Sequence, residues 1–528
     1  MTIALAERDR EPAPLPRIEV AAGGGGAGGA GGPGPHLKAD RLASLDVFRG
    51  ITIAAMLLVN NPGSWRHIYP PLRHADWHGW TITDLVFPFF LFIVGVAIPF
   101  SFAKRSAGRA RDARGQLLAR VWARALALFM LGELLTGFPS SGMTAVPDGF
   151  AMLAASRVAS WAFCGLGIVL LLFPWHSRKA SLLLPVIIAV LFYALATIIY
   201  FVNRNALANG LPGDFGFGNG LLRPENLRIP GVLQRIGICY GVAASIVLFV
   251  GWRTTLVAAL LLMGGYAALM LKAPFPNHTT GSLTQEDNLA RRIDETLLIR
   301  HARSSDDSGG VRAVNGKPAT LWNHAYGAYP DPEGTLSTLP AIATVLIGVL
   351  VGTWLRTFRS TAERCAGVLV FGLFTLLLGI GLDRWLMPIN KNLWTPSFTV
   401  FTAGLAMLVL GTCFYFVDVL GRRRWALPFV IYGMNAIAAF VAAGIVAKLM
   451  SLIVVHPAGA KGAVPLGTFL RDWAAASVVQ ANAALQHSGL RLVIDSPENQ
   501  SLAFAILFVL AILVLMCVLY VLKIFVKV

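Results

Sequence analysis

The chain has 528 residues, 56% of them apolar and only 13% charged, with a mean hydropathy of +0.65, which excludes one ordinary soluble domain with a polar shell. The formal charge of +17 comes from 44 Lys and Arg against 27 Asp and Glu. Those basic residues punctuate hydrophobic stretches and form no continuous stripe, so they mark the orientation of a membrane protein and argue against a nucleic-acid partner. The five cysteines, Cys164, Cys239, Cys365, Cys413 and Cys517, fall inside apolar stretches at no metal-like spacing and read as packing residues.

Residues 1–40 carry proline, charge and the run GGGGAGGAGGPGP, which has no apolar face to bury. A flexible cytoplasmic tail is expected there, because the segment lacks the apolar centre of a secretory signal. Residues 41–528 then hold stretches near the ~20 residues that a helix needs to cross hydrocarbon. Twelve are expected, at 44–60, 81–103, 118–137, 157–174, 181–202, 229–250, 252–271, 335–355, 362–382, 397–418, 425–450 and 500–522. The expected fold is therefore an all-α polytopic membrane helix bundle.

Alternate short connections hold the basic residues: Lys104, Arg105, Arg109, Arg111 and Arg114, then Arg178 and Lys179, Arg253, Arg356, Arg359 and Arg364, Arg422 to Arg424, and finally Lys523 and Lys527. That set reads as cytoplasmic, which puts both termini inside. Two exoplasmic loops are long, 273–334 and 451–499, and the first contains DNLARRIDETLLIRHA, where a short helix is expected. Loops of that length cover a site, bind something or merely connect.

An ionisable side chain inside a bilayer costs roughly 2.5 kcal/mol or more, so its position is informative. Asp46 and Arg49 in LDVFRG are three apart on one helical face and can pair. The first span ends at Asn60 and Asn61, followed by the outward loop PGSWRHIYPPLRHADWHGW and by Asp84 in TDLVFPFF. His67, His74 and His78 supply imidazoles that titrate near neutrality, and Asp76 or Asp84 can orient one of them. A metal site is not expected, because Pro71 and Gly79 break any helix presenting His74 and His78 together and no HExxH pattern is present. Glu133, Gln234, Arg235 and Asn435 lie within spans, where interhelical hydrogen bonding is the plain alternative to chemistry.

The string RLASLDVFRGITIAAMLLVNNPG, followed by LRHADWHGWTITDLVFPFFLFIVG, resembles the catalytic region of the heparan-alpha-glucosaminide N-acetyltransferase family, bacterial members included. RIPGVLQRIGICY, LTQEDNLARRID, DPEGTLSTLPAIATVLIGVLVG, NKNLWTPSF and YGMNAI continue the likeness in order, nearly everywhere from residue 41 onward. The resemblance implies a transmembrane acyltransferase that uses cytosolic acetyl-CoA to acetylate a glucosamine amine across the membrane. It also implies a ten-helix core, to which the spans at 157–174 and 181–202 add two. His74 in RHADW stands at the position of the family's active-site histidine and Asn60 in LLVNN at that of its active-site asparagine. The family's lysosomal member carries a further N-terminal span and a lumenal domain where this chain has the glycine-rich tail, which leaves the acceptor open.

The chemistry so implied gives His74 the part of general base or transient acyl carrier, and the Asn60 amide that of donor to the thioester carbonyl. Asp76 or Asp84 would hold the imidazole tautomer. Arg120 and Arg124, four apart in RVWARAL, are candidates for the anionic end of acetyl-CoA, with inside-positive decoration as the alternative. Arg228 and Arg235 are carried as family-motif residues, with structural pairing an equal explanation. The partners implied are acetyl-CoA, an amino-sugar or other glycan acceptor and the lipid bilayer, with a homodimer left open, and the location is a bacterial inner membrane. Competing classes are a secondary transporter and an inactive partner in envelope-polysaccharide assembly, but no repeat relates the two halves, as transporter folds generally require.

Overall fold

The structure, a computed structural model, describes residues 42–106, 113–137, 231–276, 279–298, 333–457, 462–488 and 494–526, with short pieces at 165–169, 171, 187–188, 191, 313–314 and 317–318. The expected spans at 157–174 and 181–202 and the tail 1–40 lie almost entirely outside the described residues.

Helix α1 covers Ala43–Asn60, α2 Ile82–Ser106, α3 Ala113–Gly137, α4 Val232–Phe249 and α5 Trp252–Lys272. The short α6 covers Leu289–Leu298, in the segment where a helix is expected. Then come α7 at Thr338–Leu355, α8 at Thr361–Trp385 and α9 at Pro396–Phe414, which runs into a π turn at Tyr415–Val419. The chain closes with α10 at Leu427–Met434, α11 at Ala436–Leu452, α12 at Leu466–His487 and α13 at Pro497–Val521. Two antiparallel ribbons of two-residue strands complete the all-α fold, with Ala313 opposite Pro318 and Val454 opposite Pro465. The termini are written in local chemistry: Ser360 and Glu363 form a reciprocal capping box at α8, and Thr395 and Ser496 cap α9 and α13 ahead of a first-turn proline.

Among the described residues eight helices are long and apolar enough to cross a membrane, or nine if one bent pair counts as a single span. The protein is thus an integral membrane protein with fewer demonstrable crossings than the twelve expected. Two expected spans fall outside the described residues, and the one at 118–137 is α3, which carries Arg120, Arg124 and Glu133 and falls short in apolar character. The span expected at 425–450 is broken, α10 and α11 meeting at Asn435 with a bend of 73°. Asn435 holds the break by donating to Ile524 O at 3.1 Å and accepting from Val526 N at 2.9 Å, which seats the C-terminal segment in the kink. The segment 451–499, expected as an exoplasmic loop, is no loop throughout, since α12 takes up close to half of it and packs on α13.

Burial divides the spans. Windows of α7 and α9 are 67% buried and that of α1 61%, whereas those of α8 and α13 are 22% and 28% buried, so the first three form the centre and the last two the rim. Among the described residues backbones approach most closely at two crossings. A Cβ on Gly95 of α2 would lie 2.0 Å from Val345 O of α7, and one on Gly348 would lie 2.2 Å from Phe92 O. Between α1 and α10, Gly50 and Gly433 face Phe429 O and Asp46 O, each at 1.8 Å from the missing Cβ. Small residues are what let membrane helices come this close.

Candidate active site

The α1–α2 connection is tied down at both ends. Gly63 N donates to Ser501 O at 3.1 Å, Ser64 N to Ser501 Oγ at 2.9 Å and Tyr69 OH to Asn499 Oδ1 at 2.8 Å, all on α13. Further on, Thr83 Oγ1 donates to Leu72 O at 2.7 Å and Gly79 N, at φ +95°, to Ile389 O at 2.7 Å. Only glycine takes that φ without strain.

This frame sets His74 beside Asp84. The imidazole Nδ1 lies 2.6 Å from Asp84 Oδ1, and the carboxylate, 1% exposed, also accepts from Ala75 N at 3.1 Å, Thr81 N at 3.0 Å and Thr81 Oγ1 at 3.1 Å. A carboxylate so held directs the ring proton to Nδ1 and leaves Nε2 as the accepting nitrogen. Asp76 is exposed and takes no part, so of the two carboxylates considered Asp84 is the one in contact. The remaining loop histidines go elsewhere: His67 Nδ1 lies 3.9 Å from Glu498 Oε1, and His78 Nδ1 3.3 Å from Asn390 Nδ2. Three histidines with three different partners do not converge, and among the described residues no group of His, Cys, Asp and Glu is placed to hold a metal ion.

A third segment completes the cluster. Lys391 Nζ lies 3.0 Å from His74 Nδ1, 3.4 Å from its Nε2 and 3.4 Å from Asp84 Oδ1. Burial pushes the Lys391 ammonium below the ordinary lysine value, while Asp84 and Glu333 pull in the opposite direction.

His74, Asn60, Lys391 and Glu333 line one end of a cavity of about 570 Å³. Its wall follows α2 from Thr83 to Ser101, about 27 Å at 1.5 Å per residue, close to the thickness of a bilayer's hydrocarbon core. Away from His74 the lining includes Arg49, Arg124 and Val526, with Gly433 and Met434 contributed by the α10–α11 break. Arg49 sits about 16 Å before Asn60 along α1, pairs with Asp46 at 3.2 Å and donates to Gly433 O at 3.2 Å.

The other arginines separate. Arg120 is exposed and does not line the cavity, and Arg228 lies outside the described residues. Arg235 is fully buried and absent from the cavity wall: it donates to Gly334 O at 2.7 Å and to Ser337 Oγ, and its guanidinium lies 5.2 Å from the Trp394 ring centroid. Those contacts tie it to the approach to α7 that carries Glu333. Gln234 Nε2 donates to Glu133 Oε1 at 3.0 Å, an interhelical bond of the expected kind. The cysteines Cys239, Cys365 and Cys413 are buried and free, as packing residues would be. Sequence reasoning missed Lys391 and Glu333. The available signal was that NKNLWTPSF and DPEGTLST are polar strings at span ends.

No protein-family model matches the chain. It is 25% identical over 443 residues to heparan-alpha-glucosaminide N-acetyltransferase of Mus musculus and 25% identical over 441 residues to that of Homo sapiens, each alignment taking in 76% of this chain. The chain spans about half the length of these curated relatives, 53% and 52%. Across three quarters of its length, the chain is a distant homologue of the heparan-alpha-glucosaminide N-acetyltransferase family.

Proposed function

We propose that the protein is a membrane-embedded acetyltransferase that takes an acetyl group from cytosolic acetyl-CoA and delivers it to the amine of an amino sugar, or to another glycan acceptor, on the exoplasmic face of a bacterial inner membrane. The observation that carries this reading is one continuous cavity: its lining includes Asn60 and the Asp84-bonded His74 at one end, and Arg49 and Arg124 further along the bundle. Acetyl-CoA has an anionic nucleotide at one end and a thioester at the end of a long arm. Guanidinium groups suit the phosphates, an apolar bore suits the arm, and the thioester then lies where an imidazole and an amide can act on it. The arginine-rich connections support a cytoplasmic donor end.

Acyl transfer to an amine needs a base for the amine proton and donors for the oxyanion that develops on the carbonyl. His74 Nε2 supplies the first, with Asp84 holding the tautomer. Asn60, at the end of α1 and exposed to the cavity, supplies the second through its amide nitrogen. Glu333 on the same wall offers a carboxylate to a cationic amine. Direct attack by the acceptor and passage through an acetyl-His74 intermediate use the same groups and differ only in whether the acetyl rests on the ring.

The test is the purified full-length chain with radiolabelled acetyl-CoA and glucosamine. His74→Ala should lower transfer about 100- to 10,000-fold, the usual worth of a positioned acid–base group. A folded His74→Ala protein that transfers acetyl at the wild-type rate would falsify the assignment. Substrate uptake into vesicles with no acyl donor present would favour a carrier instead.

A further inference from the structure

The turn between α8 and α9 is built as tightly as the histidine loop it faces. Ile389 N donates to Asp383 Oδ1 at 2.6 Å, Asn390 N to Thr395 Oγ1 at 3.1 Å, Thr395 N to Asn390 O at 3.2 Å and Trp394 N to Lys391 O at 3.0 Å. The fully buried Asn390 side chain accepts from Leu393 N at 2.9 Å and donates to Trp77 O at 2.8 Å, so it clips this turn to the loop carrying His74. Trp394 holds the turn's end at φ +52°, a conformation that a bulky side chain adopts only when its surroundings enforce it. All this fixed backbone presents one long side chain, Lys391, to the cavity beside His74, with 17% of that side chain exposed. A lysine needed only as a counter-ion for Asp84 would not have to line the cavity.

We propose that Lys391 is the general acid of the transfer step, delivering a proton to the departing sulfur of the acyl donor while His74 takes one from the acceptor. This rests on the acyltransferase reading of the same site. The balance is complete: the acceptor nitrogen bonds to the carbonyl carbon, the C–S bond breaks, the amine proton goes to His74 Nε2 and the coenzyme leaves as the thiol with the proton from Lys391 Nζ. The imidazolium and the neutral lysine amine so formed lie 3.4 Å apart, Nε2 to Nζ, and one proton transfer between them restores both groups for the next cycle. Burial lowers the ammonium below the ordinary lysine value, which makes it a readier proton donor, and Asp84 and Glu333 oppose that shift. His74, Asp84 and Glu333 are the titratable groups that face it.

A general acid is read by its leaving group. The full-length protein is given acetyl-CoA and, in parallel, acetyl thioesters of thiophenols, whose thiolates depart without help. With wild type the rate should change little across the series. Lys391→Met and Lys391→Arg should fall about 100-fold with acetyl-CoA, and less than about tenfold with the nitrothiophenol ester. Arginine keeps the charge and donates no proton, so its agreement with methionine separates proton delivery from electrostatics. Equal losses with every donor would assign Lys391 a positioning role and overturn the proposal. So would a steep leaving-group dependence in wild type, which needs no variant to fold. His74→Ala should be slow with all donors. If it is not, the acyltransferase reading fails, a result distinct from failure of the lysine assignment.

Discussion

A 2.6 Å contact between a histidine and a carboxylate that is itself held by three other donors is a device for keeping one tautomer in one place. Asp84→Asn keeps the shape but offers an amide that bonds either ring nitrogen. Transfer should then fall about 100-fold or more while the protein still folds, as checked by steady-state rates and a melting curve in detergent. On the proposed mechanism Asn60→Ala removes the oxyanion donor and should cost about 100- to 1,000-fold in kcat with little change in the KM for acetyl-CoA. His78 tests a different property. Burial lowers its pKa from the ordinary 6.5, with Asp383 partly opposing. Between that lowered value and 6.5 the unfolded chain binds the extra proton, so this contribution is fully present above 6.5 and declines as pH falls through the window. The melting temperature of wild type should therefore drop more between pH 7 and pH 5.5 than that of His78→Gln, and equal drops would count against the assignment. Asn60, His74 and Asp84 could be proposed from the sequence because they lie within one helix end, one loop and the next helix start, although Asp76 stood as an equal alternative to Asp84. Lys391 was not, since its distance from His74 in the chain is 317 residues and no local pattern records that they meet.

The elements were legible where hydropathy alone decides them and illegible where packing does. Eight spans lie where apolar runs of sufficient length place them, and the short α6 lies in the polar string read as helical. The span expected at 425–450 reads as continuous because YGMNAI holds no proline and a lone glycine within an apolar run is tolerated in a helix. The break arises from a distant segment, residues 524–526, which supplies Asn435 with a carbonyl and an N–H in place of helical partners. The helix α12 was hidden for another reason: it is too polar to register as a span, so a search for spans passed over it. The α1–α10 crossing permits a direct test at this scale. Gly433 meets Asp46 O where a Cβ would have to sit, and the same helix pair carries Arg49 and Met434 on the cavity wall. Gly433→Val should destabilise the protein by about 1–3 kcal/mol through overpacking, whereas Gly264→Ala, at a site with nothing within 4 Å, should leave the melting temperature nearly unchanged. Similar melting curves for the two variants would mean that the crossing yields more easily than its backbone contact implies.

On the scale of the whole molecule, the question is whether one bore serves both faces of the membrane. Composition and the basic connections fixed the class of protein and suggested a sidedness, but a cavity is a property of how helices lean together, and no single helix records it. The cavity wall along α2 is about 27 Å long, so a donor that enters from the far end, at Ser101, must pass Ala97 before its thioester reaches His74. Ala97 lies about 21 Å along α2 from Thr83, near the far end of the bore and well away from His74, Asp84 and Lys391. Ala97→Trp should therefore obstruct the arm without touching the chemistry. In sealed vesicles carrying the protein, acetyl-CoA on the arginine-rich face should support transfer to glucosamine on the opposite face, and Ala97→Trp should reduce that rate at least about tenfold. A short thioester without the nucleotide, S-acetyl-N-acetylcysteamine, supplied on the His74 face, bypasses the obstruction and should react with wild type and variant alike. Loss of both reactions would show that the bulky ring had disturbed the site itself. Undiminished use of acetyl-CoA would show that the donor reaches His74 by a route other than this cavity, and the arrangement of arginines at one end and imidazole at the other would then have no part in catalysis.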